Sequence, residues 1–219
     1  MQLTNTDNMA DILDILKQTG AIIADSHFVL TSGKHAPLYI NKDALYPHTD
    51  MVSEVGKLFA EKFKDTDIDV VVAPALGGII LSQWTASHLS KLKGKEILGI
   101  YTEKDPESNQ IFKRGYDLLV KDKNVLIIED LTSTGGSVKK VVNTVRGAGG
   151  NIVAVCVMVN KNPGEVNEAF IGAPFSSLAE LPTEIYDSAD CPLCKSGVPV
   201  NALVGHGKKF LEEKKAAGA

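Results

Sequence analysis

The residues best suited to chemistry stand together at positions 125–137. There the apolar run Val125-Leu126-Ile127-Ile128 enters Glu129-Asp130-Leu131-Thr132-Ser133-Thr134-Gly135-Gly136-Ser137. Valines at 138, 141, 142 and 145 follow at helical spacing, so the segment reads as strand, turn and helix. A helix N-terminus presents unpaired N–H groups and the positive end of a dipole. Gly135 and Gly136 let the backbone wrap closely around an anion, and the hydroxyls of Ser133, Thr134 and Ser137 add donors. The expected ligand is a phosphate monoester. Two carboxylates beside an anion site would repel that ligand unless it also carries a vicinal diol. Glu129 and Asp130 then accept hydrogen bonds from ribose hydroxyls, and a Mg²⁺ ion carried by the ligand offsets charge. Gly135-Gly136 alone would be an ordinary tight βα turn with Ser137 as a cap. The acidic pair and the hydroxyl cluster together favour the ligand site. The P-loop and dinucleotide-binding glycine patterns are absent.

The elements that must position this turn are regular. Apolar, β-rich runs fall at 69–74, 96–101, 124–130 and 151–159. Helical patterns separate several of them: residues 77–92, then the valine stripe from 138 to 145. Earlier helices are marked by Met9, Ile12, Leu13 and Leu16, with Asn8 as a cap, and by Val52, Val55, Phe59 and Phe63. A short helix is expected near 208–215. Strands apolar on both faces, alternating with helices, predict an α/β fold with a parallel central sheet flanked by helices. Ligands of such sheets bind at the carboxyl ends of the strands, beyond Pro74, Tyr101, Asp130 and Val159. The polar stretch 102–114 breaks the rhythm and reads as a long loop, either a lid or plain surface.

The 219 residues suffice for one substantial domain. A net charge of −4 argues against general nucleic-acid binding. The N-terminus lacks a basic start followed by a long apolar run, so no secretory signal is expected, and the run 152–159 is too short to span a bilayer. Three cysteines suit a reducing cytosol better than a disulfide scaffold. Cys156 falls in an apolar strand and reads as core. Cys191 and Cys194 could be a metal or redox pair, but only His206 lies near them in sequence, so no metal site is assigned. His27, His35, His48 and His88 read as structural or surface histidines, with His35 the one worth testing. Trp84 reads as packing.

Segment 125–137 resembles the phosphoribosyl-pyrophosphate (PRPP) signature of type I phosphoribosyltransferases. His27–His35 followed by Tyr39-Ile40-Asn41-Lys42 resembles the N-terminal hood of the orotate phosphoribosyltransferases, and Ala73–Gly78 resembles their pyrophosphate loop. Lys113-Arg114-Gly115-Tyr116 and Cys191-Pro192-Leu193-Cys194, with Gly197 and Pro199, resemble a Thermus-type bacterial branch. The similarity runs from about Ile12 to Pro199. It implies one domain over 1–219, a hood at about 20–48 plus 176–205, and a mobile lid at about 102–115. It implies transfer of phosphoribosyl from PRPP to orotate, with Mg²⁺ carried by PRPP or pyrophosphate. It further implies a homodimer whose lid acts across the interface. PRPP is then expected on residues 129, 130 and 132–137, and its pyrophosphate on Ala75, Leu76, Gly77 and Gly78. Lys104, Lys113 and Arg114 are the expected lid cations, grouped with Asp130 as the catalytic set. Orotate is expected on Ser133, Lys34 and Lys161. Enzymes of this kind carry an Asp-Arg pair after the strand ending at Val159, where this chain has Asn160-Lys161, and Thr31 stands where many have lysine. Two further readings stay open: another nucleobase, and a PRPP-sensing regulator without turnover.

Overall fold

Valine and isoleucine dominate the central runs because β-branched side chains pack well on a pleated surface covered from both sides. The computed structural model describes residues 11–30 and 32–217. Met9, its expected cap Asn8, and Thr31 lie outside the described residues. In chain order the first elements are α1 (Ile12–Gln18) and four two-residue strands: β1 (Ile22–Ile23), β2 (Phe28–Val29), β3 (His35–Ala36) and β4 (Tyr39–Ile40). Next come α2 (Thr49–Lys62), β5 (Val70–Pro74), α3 (Gly77–Lys93), β6 (Leu98–Lys104), β7 (Gln110–Ile111) and α4 (Tyr116–Val120). The chain continues through β8 (Asn124–Thr132), α5 (Gly136–Gly147), β9 (Asn151–Asn160), α6 (Glu168–Ile171) and β10 (Phe175–Glu180). It ends with α7 (Pro192–Lys195) and α8 (Gly207–Ala217). The chain divides into two compact units, residues 11–15 with 46–181 and residues 16–45 with 182–217.

The larger unit is built on a six-stranded sheet of order β10-β9-β8-β5-β6-β7. The five longer strands are parallel, and only β7 runs antiparallel, against β6. This is the α/β architecture that the alternation of runs predicts. Every residue of β5 is buried. Val138, Val141, Val142 and Val145 of α5 pack against Val70, Val72, Val125, Ile127 and Val155, so the helix stripe and the strands share one core. Truncating a fully buried residue such as Ile127 to alanine would cost about 2–5 kcal/mol. Cys156 is buried in β9, and burial pushes its thiol up to about 12, as befits an inert core residue.

Two features depart from the sequence expectation. The segment 102–114 is not simply a loop: β6 extends to Lys104 and turns back into β7. Thr102 donates from Oγ1 to Gln110 Oε1 at 2.7 Å in a buried contact, and Asp105 Oδ1 accepts from Asn109 N at 2.7 Å in the turn. Lys140 and Thr144 of α5 bond to the carbonyls of Ser108 and Gln110, at 2.6 Å each, and so hold the hairpin to the helix. Polar side chains satisfied across a hairpin leave no apolar alternation to read. The other departure is β10, the outer strand beside β9, whose residues are half-buried or exposed and carry little hydrophobic signal.

In the smaller unit β1 pairs with β4 and β2 with β3, both antiparallel. Residues from the C-terminal segment join them: His27 bridges to Val200 and His35 to Tyr186. Phe28 is fully buried and stacks on Tyr39, with ring centroids 5.5 Å apart.

Candidate active site

The carboxyl ends of β5, β6, β8 and β9 carry the expected site residues of the larger unit. Val72 pairs with Ile127, so β8 runs on past the end of β5 and carries Asp130–Thr132 beyond Pro74. Gly135 precedes α5 with φ of 70°, a left-handed conformation that suits glycine, and its N–H donates to Thr132 Oγ1 at 3.1 Å. The turn then delivers the first N–H groups of α5, with no acidic residue in the first helical turn to compete for them.

Glu129 and Asp130 are 6% and 3% exposed, and buried carboxylates persist only when hydrogen-bonded. Glu129 Oε1 accepts from Asp130 N at 3.1 Å, and Oε2 accepts from Ser137 Oγ at 3.3 Å. Asp130 Oδ1 accepts from Leu131 N at 2.6 Å, and Oδ2 accepts from the Tyr46 hydroxyl at 2.9 Å. Each oxygen thus accepts a hydrogen bond, and a carboxylate oxygen has two lone pairs, the kind of acceptor a diol requires. Nothing in the residues around Tyr46 marks it as part of the site; it precedes α2 and reaches Asp130 only through the tertiary fold.

The turn between β5 and α3 meets the same carboxylate. A Cβ at Gly77 would overlap the Tyr46 hydroxyl and stand 2.5 Å from Asp130 Oδ2. Only glycine admits this approach. The Ala75–Leu76 peptide is cis, and Ala75 N donates to Thr102 O at 2.8 Å, tying the turn to β6. Gly77 and Gly78 open the 17-residue α3, so a second helix N-terminus lies at this end of the sheet.

The three expected lid cations all lie on the β6–β7 hairpin or just after it. Lys104 is exposed. Lys113 Nζ lies 3.3 Å from Glu103 Oε2, and Arg114 pairs with the other oxygen of the same carboxylate. The Arg114 guanidinium also stands 5.7 Å from the Tyr101 ring centroid. Glu103 is a second residue that sequence reasoning missed, because it is one acidic residue among several in a polar stretch.

Ser133 lies in the turn between β8 and α5. Lys161 follows β9, and its N–H donates to Thr132 O at 2.8 Å, so it adjoins that turn. Burial pulls the Lys161 ammonium below the usual lysine range. Asn160 is buried, with Nδ2 donating to Val166 O at 2.9 Å and Oδ1 accepting from Asn162 N at 3.0 Å, a role in shaping the loop. Lys34 belongs to the smaller unit, where it is exposed and paired with Asp187 at 3.3 Å.

A parallel sheet with an acidic pair and a hydroxyl-rich turn leading into a helix defines a phosphoribosyltransferase class of site, and the family model for the phosphoribosyl transferase domain matches residues 41–171. The orotate phosphoribosyltransferase of Thermoanaerobacter sp. (strain X514) is 37% identical over 87% of this chain and 94% of its own length. That of Thermotoga maritima is 35% identical over 90% of this chain and 100% of its own. The chain belongs to the orotate phosphoribosyltransferase family. A crystal structure of Mycobacterium tuberculosis H37Rv orotate phosphoribosyltransferase shares the fold, with a TM-score of 0.62 and 23% identity over 78% of this chain and 97% of the other.

Proposed function

We propose that this chain transfers the 5-phosphoribosyl group from PRPP to orotate, giving orotidine 5′-monophosphate and pyrophosphate in pyrimidine biosynthesis. The orotate ring nitrogen forms the new bond to the anomeric carbon as the bond from that carbon to the pyrophosphate oxygen breaks. The nitrogen's proton goes to solvent. The observation that carries the donor half is the meeting of Gly77 with the Asp130–Tyr46 pair, which draws a pyrophosphate turn and a ribose carboxylate into one site.

In this reading Thr132–Ser137 hold the 5-phosphate, Glu129 and Asp130 hold the ribose diol, and Ala75–Gly78 hold the pyrophosphate. Positive charge builds at the ribose as the bond breaks, so catalysis rests on positioning and on stabilising the leaving group. Lys104, Lys113 and Arg114 serve the pyrophosphate from the hairpin, once Glu103 releases the latter two. Ser133 and Lys161 serve orotate, and Lys161 supplies charge to its carboxylate. Mg²⁺ accompanies PRPP: the acceptor-only oxygens of Glu129 and Asp130 are hard donors that suit it through the substrate, and when bound it offsets the pyrophosphate charge. A homodimer with the hairpin as a lid over the partner's site, a hood formed by the N- and C-terminal segments, and a cytosolic location complete the proposal.

The test is direct. Protein, PRPP, orotate and Mg²⁺ are mixed and the loss of orotate absorbance is followed. Turnover with orotate is expected. Turnover only with another base would overturn the base assignment, and PRPP binding without any turnover would point to a regulator.

A further inference from the structure

We propose that the smaller unit holds a structural zinc ion on His27 Nε2, His35 Nδ1, Cys191 Sγ and Cys194 Sγ. These four atoms lie within 4.8 Å of one another, the one such group among the described residues. Cys191 Sγ and Cys194 Sγ are 3.7 and 3.8 Å from His27 Nε2, and Cys194 Sγ is 3.4 Å from His35 Nδ1. A tetrahedral zinc with ordinary bond lengths puts nitrogen and sulfur ligands about 3.5 Å apart and two nitrogens about 3.3 Å apart. The nitrogen–sulfur distances already match. The two imidazole nitrogens stand 2.8 Å apart, at hydrogen-bond distance, and would need to separate by about half an ångström to share a metal.

The surroundings fit a ligand set. His27 Nδ1 lies 2.8 Å from Val198 O, so that nitrogen carries the proton and Nε2 presents its lone pair to the cluster. The scaffold fixes both histidines against the segment that bears the cysteines. His35 and Tyr186 exchange N–H···O bonds of 2.8 Å each, and Asn201 N donates to His27 O at 2.8 Å. His27, His35 and Cys191 are buried, and all four ligands come from the chain, so the set is closed as structural sites are. Two thiolates and two imidazoles are a soft set that selects zinc over magnesium, which separates this site from the PRPP turn.

There is also a need for it. The smaller unit joins two chain segments far apart in sequence, and its regular strands are two residues long. Units of this size rarely stabilise themselves through a hydrophobic core alone and commonly use a metal or disulfides. His206, the sequence neighbour of the cysteines, is outside the set.

Metal content of the full chain, purified without chelator from zinc-containing medium, tests this. About one zinc per chain is expected. Cys191→Ser with Cys194→Ser should lose it, and His206→Ala should keep it. Because the cysteine variant could misfold, the wild-type chain is also loaded with cobalt, where tetrahedral ligand-field bands and a thiolate charge-transfer band are expected. A folded wild-type chain with well under one metal and no such cobalt spectrum overturns the proposal. It does so whether the thiols then titrate as free groups or prove to be a Cys191–Cys194 disulfide. PRPP binding and orotate turnover are read separately, so failure here leaves the proposed activity intact.

Discussion

The close approach of Gly77 to Asp130 makes a quantitative prediction. In Gly77→Ala the new methyl meets the Tyr46 hydroxyl first, then Asp130 Oδ2 at 2.5 Å and Tyr46 Cζ at 2.7 Å. Overpacking of this kind costs about 1–3 kcal/mol. Tyr46→Phe removes a hydrogen bond to a carboxylate, worth about 1.5–3 kcal/mol, but also removes the atom that the new methyl hits hardest. The two changes must therefore couple. Denaturant unfolding of wild type, both single variants and the double variant should give a double-variant loss smaller than the sum by about 1 kcal/mol or more. Calorimetric titration with PRPP should show Gly77→Ala binding about tenfold or more weakly, because the displaced carboxylate is the one proposed to hold the ribose diol. Stability losses additive within about 0.5 kcal/mol, or undiminished PRPP affinity in Gly77→Ala, would refute the idea that this turn and this carboxylate are one site.

Other perturbations address the remaining parts. Asp130→Asn with Glu129→Gln should weaken PRPP binding by about 10–100-fold, the loss of one charge-assisted hydrogen bond or more, measured by titration calorimetry. Unchanged affinity would rule out the ribose-diol role. Glu103→Gln should lower the KM for PRPP by about two- to five-fold by freeing Lys113 and Arg114, while changing stability by less than about 1 kcal/mol, since both cations are exposed. A raised KM would mean that Glu103 organises these cations rather than restraining them. Lys161→Met should stabilise the fold at neutral pH, because burial holds the Lys161 ammonium below the lysine range. The sign follows from linkage: the unfolded lysine binds its proton more tightly, so the penalty is full below the folded value and fades as pH rises toward the unfolded one. Denaturation midpoints of the two proteins should converge in alkaline solution, and orotate affinity should fall in the variant.

The larger unit was legible because its signals are local. β5, β8 and β9 are runs of valine and isoleucine buried on both faces, and α5 carries its four valines at i, i+3, i+4 and i+7. The turn between β8 and α5 was legible for the same reason: Glu129, Asp130, Gly135 and Gly136 are consecutive or nearly so, between an apolar run and a valine stripe. The hairpin of β6 and β7 reads as a loop in the sequence because its stability comes from Thr102–Gln110 and Asp105–Asn109 bonds, which have no periodicity. β10 was missed because an outer strand of half-buried residues has no apolar face to announce it.

What stayed hidden is of one kind, the partner of a chemically eloquent residue. Asp130 announces itself, but Tyr46 lies 84 positions away and reaches it through packing. Lys113 and Arg114 look like free cations until Glu103 is found holding both. Cys191 and Cys194 look like half a metal site with His206 at hand, whereas the nitrogen atoms they face belong to His27 and His35, more than 150 positions earlier. A ligand site needs donors converging on one point, and sequence spacing measures convergence only within a turn of helix or strand. His27 and His35 illustrate the difference. Each alone is an ordinary structural histidine, and only the β2–β3 pairing, which sets Val29 opposite His35, turns the pair toward a common centre.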